Sequence, residues 1–517
     1  MPKTPSVKLF RLIKSLSGSE KRYFKLFVNR DSGKDNKYLL LFDAIEMQES
    51  FDEEALKQLV YPNEPIHSRK YSELKAYLYE LILRSLQSYD EKTSVDFRLK
   101  SMLSSVRVLY RRSLYEDCRE IIVKGKKLAR KYEKYNSILE FLDWEKQIAY
   151  AQTNIAYLDR NLSKIAEEEI FIHTQINYYH KSRNIFFNLL VNLRKDPSLG
   201  KASWEEKLTN SIDWPFLKEV QVGGGHQTRV IYYRTAAIYA YALREFQQFY
   251  DLSKSLLELM ESQPHFLRED VSEYISAISN FIRSCGELGK YEEIEITLEK
   301  LRNITPKNLD DELKIHRQYY QSKFSLCIDQ GTFEEGLSAL RDHFEERKKF
   351  DATYFENNSF YYNYFYIYFG VGDYEKALEF LNKWLGLAKD VERMDLQSVA
   401  RMLNLIIHYE LGNTVLLESL IRSTYRFLKK RNRLHDVERE LIHFIREASE
   451  AYSGQDVRKA FTEIKKSFDN LSHDPLSRNL LTRYFNIMAW LESKIRKITF
   501  AEVIQEKYQR HQSNGGR

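Results

Sequence analysis

Four glycines, Gly289, Gly331, Gly372 and Gly412, stand 42, 41 and 40 residues apart, and the residues around each follow one pattern. Two positions later come Tyr291, Phe333, Tyr374 and Thr414, and five positions later Ile294, Gly336, Ala377 and Leu417. Seven positions before each glycine stand Ile282, Phe324, Phe365 and Leu405, and four before stand Cys285, Cys327, Tyr368 and His408. Apolar residues at helical spacing on both sides place each glycine between two helices. A glycine where the first helix ends supplies the positive φ that a tight turn needs. The aromatic at +2 can then pack across the turn, and a small residue at +5 lets the two helices approach. One such pair cannot bury its apolar faces, whereas a stack of pairs can.

The composition agrees with this reading. Gly (18) and Pro (9) are scarce in 517 residues, below the usual ~7% and ~5%. Sheet-rich folds need both at their turns, so the scarcity favours long helices with brief connections. An apolar content of 43% is enough for substantial cores.

GDYEKALEFLNKW (372–384) resembles the second half of a tetratricopeptide repeat, with Gly372, Tyr374, Ala377 and Phe380 at the signature positions. Ile294, Gly336 and Leu417 replace the usual alanine, and Thr414 replaces the aromatic. The period exceeds the family's ~34 residues, so longer helices and an irregular superhelix are expected. Weaker echoes occur at Leu114-Tyr115 with Cys118 and Ile122, and at Glu245-Phe246 with Phe249. The resemblance covers about 270–430 and extends in weaker form over 93–495. It implies an all-α fold, a right-handed superhelical stack of antiparallel helix pairs (an α-solenoid), and a protein or peptide partner.

Outside the repeats, residues 1–92 form an expected N-terminal helical cap or small domain. Helical patterns fall at 6–16, 19–30, 36–48, 52–60 and 67–89. Ser17 or Ser19 can cap a helix whose apolar face is Tyr23, Phe24 and Phe27. Residues 198–228, with Trp204, Trp214-Pro215 and Gly223–Gly225, read as an irregular interruption. Residues 496–517 read as a helix end followed by a disordered tail, HQSNGGR.

SFYYNYFYIYFG (359–370) carries eight aromatics within ten residues. A helix of that length spans only ~17 Å, too short for a bilayer, so it reads as the first helix of a repeat. Most of its rings belong in the core. Because they run around the helix, some of Tyr361, Tyr362, Tyr364, Tyr366 and Tyr368 are expected to face outward as a peptide-binding floor.

Residues 1–134 hold 28 Lys/Arg against 19 Asp/Glu. Within them Lys124, Lys127, Lys131 and Lys134 lie on one helical face beside Lys126 and Arg130, and a second cluster occupies 429–433. Such faces are ordinarily solvated or sit at helix C-termini. The functional alternative is an electrostatic footprint for nucleic acid or an acidic partner. A helix-turn-helix in 52–89 fits poorly, because its connection is long and holds two prolines.

Catalytic chemistry finds little support. GGGHQTR (223–229) precedes a helix and reads as a linker, with Thr228 as its cap and phosphate binding as the alternative. It lacks the phosphate-loop spacing. His173 and His180 share a helix face with no completing metal ligand. Cys118, Cys285 and Cys327 lie far apart and read as small apolar filling in a reducing compartment. The segment MPKTPSVKLFRLIKSL lacks a secretory pattern, and no apolar window approaches ~18 residues. The expectation is a cytoplasmic, non-catalytic scaffold or adaptor that needs no cofactor and no metal and does not insert into membranes. The competing expectation is a nucleic-acid-associated regulator that uses the basic N-terminal portion. The sequence does not define an oligomeric state.

Overall fold

The computed structural model describes residues 7–29, 37–62, 68–195, 206, 208–387, 394–430, 434–450, 454–473, 481–482 and 485–514. Among them the structure is all-helical, with no strand, and successive helices pack as neighbours. The chain divides into two compact units, residues 1–277 with 306–312, and residues 278–305 with 313–517.

The first unit opens with α1 (Lys8–Ser15), α2 (Gly18–Asn29), α3 (Lys37–Met47), α4 (Glu53–Val60) and α5 (Ser68–Thr93). These match the periodicities read from the sequence closely. Ser17 starts α2 with a reciprocal capping box: its Oγ accepts from Glu20 N at 3.3 Å, and its own N–H donates to Glu20 Oε2 at 2.7 Å. Phe24 stacks on Phe42 of α3, at the centre of a core with Ile13, Leu41, Leu78 and Ile82.

No linker separates these five helices from the rest of the unit. α6 (Val95–Tyr110) begins two residues after α5 and packs on it. Then come α7 (Tyr115–Lys131), α8 (Tyr135–Ala151) and the 41-residue α9 (Ile155–Lys195). α10 (Trp214–Gly223), α11 (His226–Ala242), α12 (Phe246–Glu261) and α13 (Pro264–Glu269) come after it. Of the irregular zone expected at 198–228, residues 198–205 (Trp204 included) and 207 lie outside the described residues.

The second unit holds the four glycines. Its pairs are α14 (Val271–Glu287, which begins in the first unit) with α15 (Tyr291–Arg302), then α16 (Leu309–Gln330) with α17 (Phe333–Glu346). They continue as α18 (Asn358–Gly370) with α19 (Tyr374–Gly386), and α20 (Met394–Glu410) with α21 (Thr414–Lys430). α22 (Asp436–Glu450), α23 (Gly454–Leu471), α24 (Ile487–Arg496) and α25 (Phe500–Asn514) complete it.

All four glycines adopt positive φ, between +68° and +83°. One hydrogen bond recurs at each turn. The N–H of Lys290, Thr332, Asp373 and Asn413 donates to the carbonyl of Cys285, Cys327, Tyr368 and His408, at 2.9–3.0 Å. These acceptors are the residues four before each glycine. The bond is the six-to-one link of a Schellman motif, which satisfies a carbonyl the helix end leaves open.

The same bond closes turns in the first unit where no glycine stands. Ser113, Glu133, Thr153 and Arg244 hold φ of 60°, 51°, 53° and 63°. Leu114, Lys134, Asn154 and Glu245 donate back to Leu109, Ala129, Ala149 and Ala240 at 2.8–3.1 Å. Two positions after Ser113, Glu133 and Arg244 stand Tyr115, Tyr135 and Phe246, so the faint echoes at 114 and 245 are turns of the same construction.

At +5 the close approach is realised. Ala377 is fully buried, and a Cβ on Gly336 would stand 3.3 Å from both Cys327 and Ile367. Ala377→Arg forces a charge into this contact and should lower stability by at least about 3 kcal/mol, read by thermal melting. Gly372 and Gly331 separate strain from space. A Cβ on Gly372 meets nothing within 4 Å, so Gly372→Ala should cost only the left-handed penalty of about 1–2 kcal/mol. On Gly331 a Cβ would lie 2.9 Å from the backbone N of Gln505, and Gly331→Ala should cost clearly more in the same denaturant titration.

Candidate functional site

The aromatic helix α18 sits at the centre of the second unit. Tyr364, Tyr366 and Tyr368 are buried, at 0%, 4% and 8% exposure, while Tyr361 and Tyr362 are half-buried. The expected tyrosine floor is therefore mostly interior. The reason is a return of the chain that local pattern cannot reveal. Residues 485–508 come back onto the repeats: Phe485 packs on Phe365, Tyr366 and Phe369. Asn486 N donates to the Tyr366 hydroxyl at 3.2 Å, and Trp490 packs against Tyr409, Phe444 and Phe461. Glu410, at the end of α20 and 4% exposed at its side chain, receives Trp490 Nε1 and Lys494 Nζ at 2.5 Å each.

α25 then lies along the turns. Tyr508 meets Tyr291 edge-on with ring centroids 5.1 Å apart. Gln505 Nε2 donates to Gly331 O at 3.0 Å, and Phe500 packs on Phe333 and Phe369 at 5.8 and 5.5 Å. The segment expected to be a disordered tail is thus helical through Asn514, and residues 515–517 lie outside the described residues.

On α7 and its end, the basic residues face carboxylates. Lys126 pairs with Glu145 at 2.6 Å with both side chains 13% exposed, Arg130 with Glu168 at 2.5 Å, and Lys134 with Asp96 at 2.6 Å. Lys124 reaches Glu120 at 3.5 Å. Lys127 and Lys131 remain exposed, Lys131 with its ammonium 5.5 Å from the Tyr132 ring centroid. In the second cluster Lys429 and Lys430 end α21, while residues 431–433 lie outside the described residues.

The glycine-rich junction is filled from within. Gly225 precedes α11, and Glu133 supplies the anion: its Oε1 accepts from His226 N at 2.6 Å and its Oε2 from Gln227 N at 3.1 Å. Gln175 of α9 brackets the loop, donating to Gly223 O at 2.9 Å and accepting from Gly225 N at 3.0 Å. Thr228 is not the cap, because it is the third residue of α11, where Gly225 holds the cap position, and its hydroxyl is buried. No sequence pattern pairs residues 133 and 226. The left-handed φ of Glu133 is what aims its carboxylate at this helix end.

A buried polar chain was not legible either. His316 Nε2 lies 3.0 Å from His343 Nδ1, and His343 Nε2 lies 2.5 Å from the Tyr364 hydroxyl. His316 Nδ1 faces Glu346 Oε2 at 3.4 Å. A carboxylate can only accept, so each imidazole is assigned Nδ1–H and Tyr364 donates to His343. Phe324, Phe355 and Phe360 surround the pair. Burial, with Arg347 and Lys349 nearby, pushes His316 down to about 4. Burial, His316 and Arg347 push His343 down to about 2. His173 and His180 are both exposed on α9. Among the described residues no three His, Cys, Asp or Glu side chains are placed to share a metal ion. No described helix is long and apolar enough to cross a membrane.

Both buried histidines are neutral when folded, while in the unfolded chain they take up protons below about pH 6.5. Their contribution to stability is therefore complete above that pH and is lost as the pH falls from about 6.5 toward 4. Denaturant titrations at pH 7 and 5 should show the loss, and His343→Phe should flatten the slope while lowering stability at pH 7. No protein-family model matches the chain, and no curated protein matches it in sequence.

Proposed function

We propose that the chain is a non-catalytic protein-interaction scaffold or adaptor, built as a right-handed tetratricopeptide-like superhelix that binds a protein or peptide. The observation that carries this reading is the repetition of one Schellman turn at 289, 331, 372 and 412, each followed by a second helix, led by an aromatic at the first three and by Thr414 at the fourth. Stacked hairpins of this kind create extended surfaces with no need for a reaction centre. The cytoplasm fits three cysteines that are all buried as free thiols.

The nucleic-acid reading draws less support. Arg130 and Lys134 of the basic face are engaged with Glu168 and Asp96, and Lys126 beside it with Glu145, so the reading rests chiefly on the exposed Lys127 and Lys131.

Capture by the full chain from native lysate, with and without nuclease and at low and high salt, discriminates the two. The expected result is a protein partner retained after nuclease treatment and at high salt, with Lys127→Glu/Lys131→Glu capturing as well as wild type. Capture that requires nucleic acid and vanishes with salt or with the charge reversals overturns the scaffold reading.

A further inference from the structure

At three of the four turns an aromatic two positions after the glycine opens the second helix of the repeat. At successive repeats these residues are Tyr291, Phe333 and Tyr374. The C-terminal segment engages the first two directly, Tyr508 on Tyr291 and Phe500 on Phe333, while Trp490 and Lys494 of α24 hold the Glu410 carboxylate. Phe500 and Tyr508 are eight residues apart, about 12 Å along a helix. Helices stack at about 8–10 Å, so a helix laid obliquely across the turns meets one aromatic per repeat. Between the two contacts, Gly331 admits the backbone of α25 where any side chain would collide.

We propose that this row of turn aromatics is a docking rail for an amphipathic helix, that α25 is its resident occupant, and that a partner helix with two aromatics eight residues apart exchanges with it. This rests on the scaffold reading and adds a surface, a ligand class and a means of control. Three features make α25 exchangeable. It carries its own capping box, Thr499 Oγ1 accepting from Glu502 N at 3.1 Å and Thr499 N donating to Glu502 Oε2 at 2.7 Å, so its start borrows nothing from the repeats. A short link joins it to α24, with Lys497 at φ 56°. The rail does not depend on it, because each glycine turn is closed by its own backbone bond. Phe333 is 2% and Phe500 6% exposed, so the rail trades one helix for another of like pattern instead of standing open to water.

The test uses the full chain and a labelled peptide of residues 497–514, read by fluorescence anisotropy and hydrogen exchange. Glu506→Lys removes the Arg496–Glu506 pair that ties α25 to α24 at 2.7 Å without touching the rail. It should tighten peptide binding by about tenfold by raising the competent fraction. A peptide with alanine in place of Phe500 and Tyr508 should not bind, and saturating peptide should speed exchange in 500–514 while α18 stays protected. Absence of peptide binding to a folded Glu506→Lys chain, or exchange of α25 only together with α18, overturns the rail. If the chain then still captures a protein partner, the scaffold reading survives the loss. Peptide exchange without any protein partner means the reverse.

Discussion

A helix that ends must hand its last carbonyls to something, and at nine turns among the described residues the solution is one backbone bond reached through a left-handed residue. Because it is closed locally, the turn sets the direction of the next helix before any tertiary contact forms. The aromatic that opens that helix then lies beside the turn, where it is available to a third element. Period, pairing and the seat of the C-terminal helix all descend from that geometry.

The second unit was legible because glycine marks its turns. Positive φ at residues 289, 331, 372 and 412 follows from a residue type, and the spacing follows from helix length. Glu133 and Thr153 occupy the same conformation with side chains that disfavour it, so the turns they make carried no visible mark. A cap at Ser17 or Ser19 is readable for the opposite reason: a capping side chain and the amides it serves lie within one helical turn. Which of the tyrosines of α18 are interior is not legible in the sequence, because amphipathicity assumes one covered face. α18 is covered on several, by α17 and α19 and by residues more than a hundred positions downstream, such as Phe485 and Phe500.

Polar groups obey a parallel logic. The carboxylate of Glu133 answers the open amides of α11, Glu410 gathers two donors, and the His316–His343–Tyr364 chain satisfies itself within an aromatic cage. Buried polar atoms are tolerated when each finds a partner. Spacing in the sequence could not announce these pairings, since the partners lie 93, 80 and 27 residues apart. Of the basic residues of α7, Lys126 and Arg130 bind it to neighbouring helices, while Lys127 and Lys131 stay exposed.

The return of α25 also bears on how the chain is made. Gln505 reaches Gly331 and Tyr508 reaches Gln330 across separations of 174 and 178 residues. Such closures come late, since they carry the full entropy of a long loop. During synthesis the earlier repeats emerge first. They must hold together with Tyr291 and Phe333 bare until residues 500–508 have been made and have left the ribosome. For that interval the nascent protein shows the cell a sticky edge that the finished one conceals.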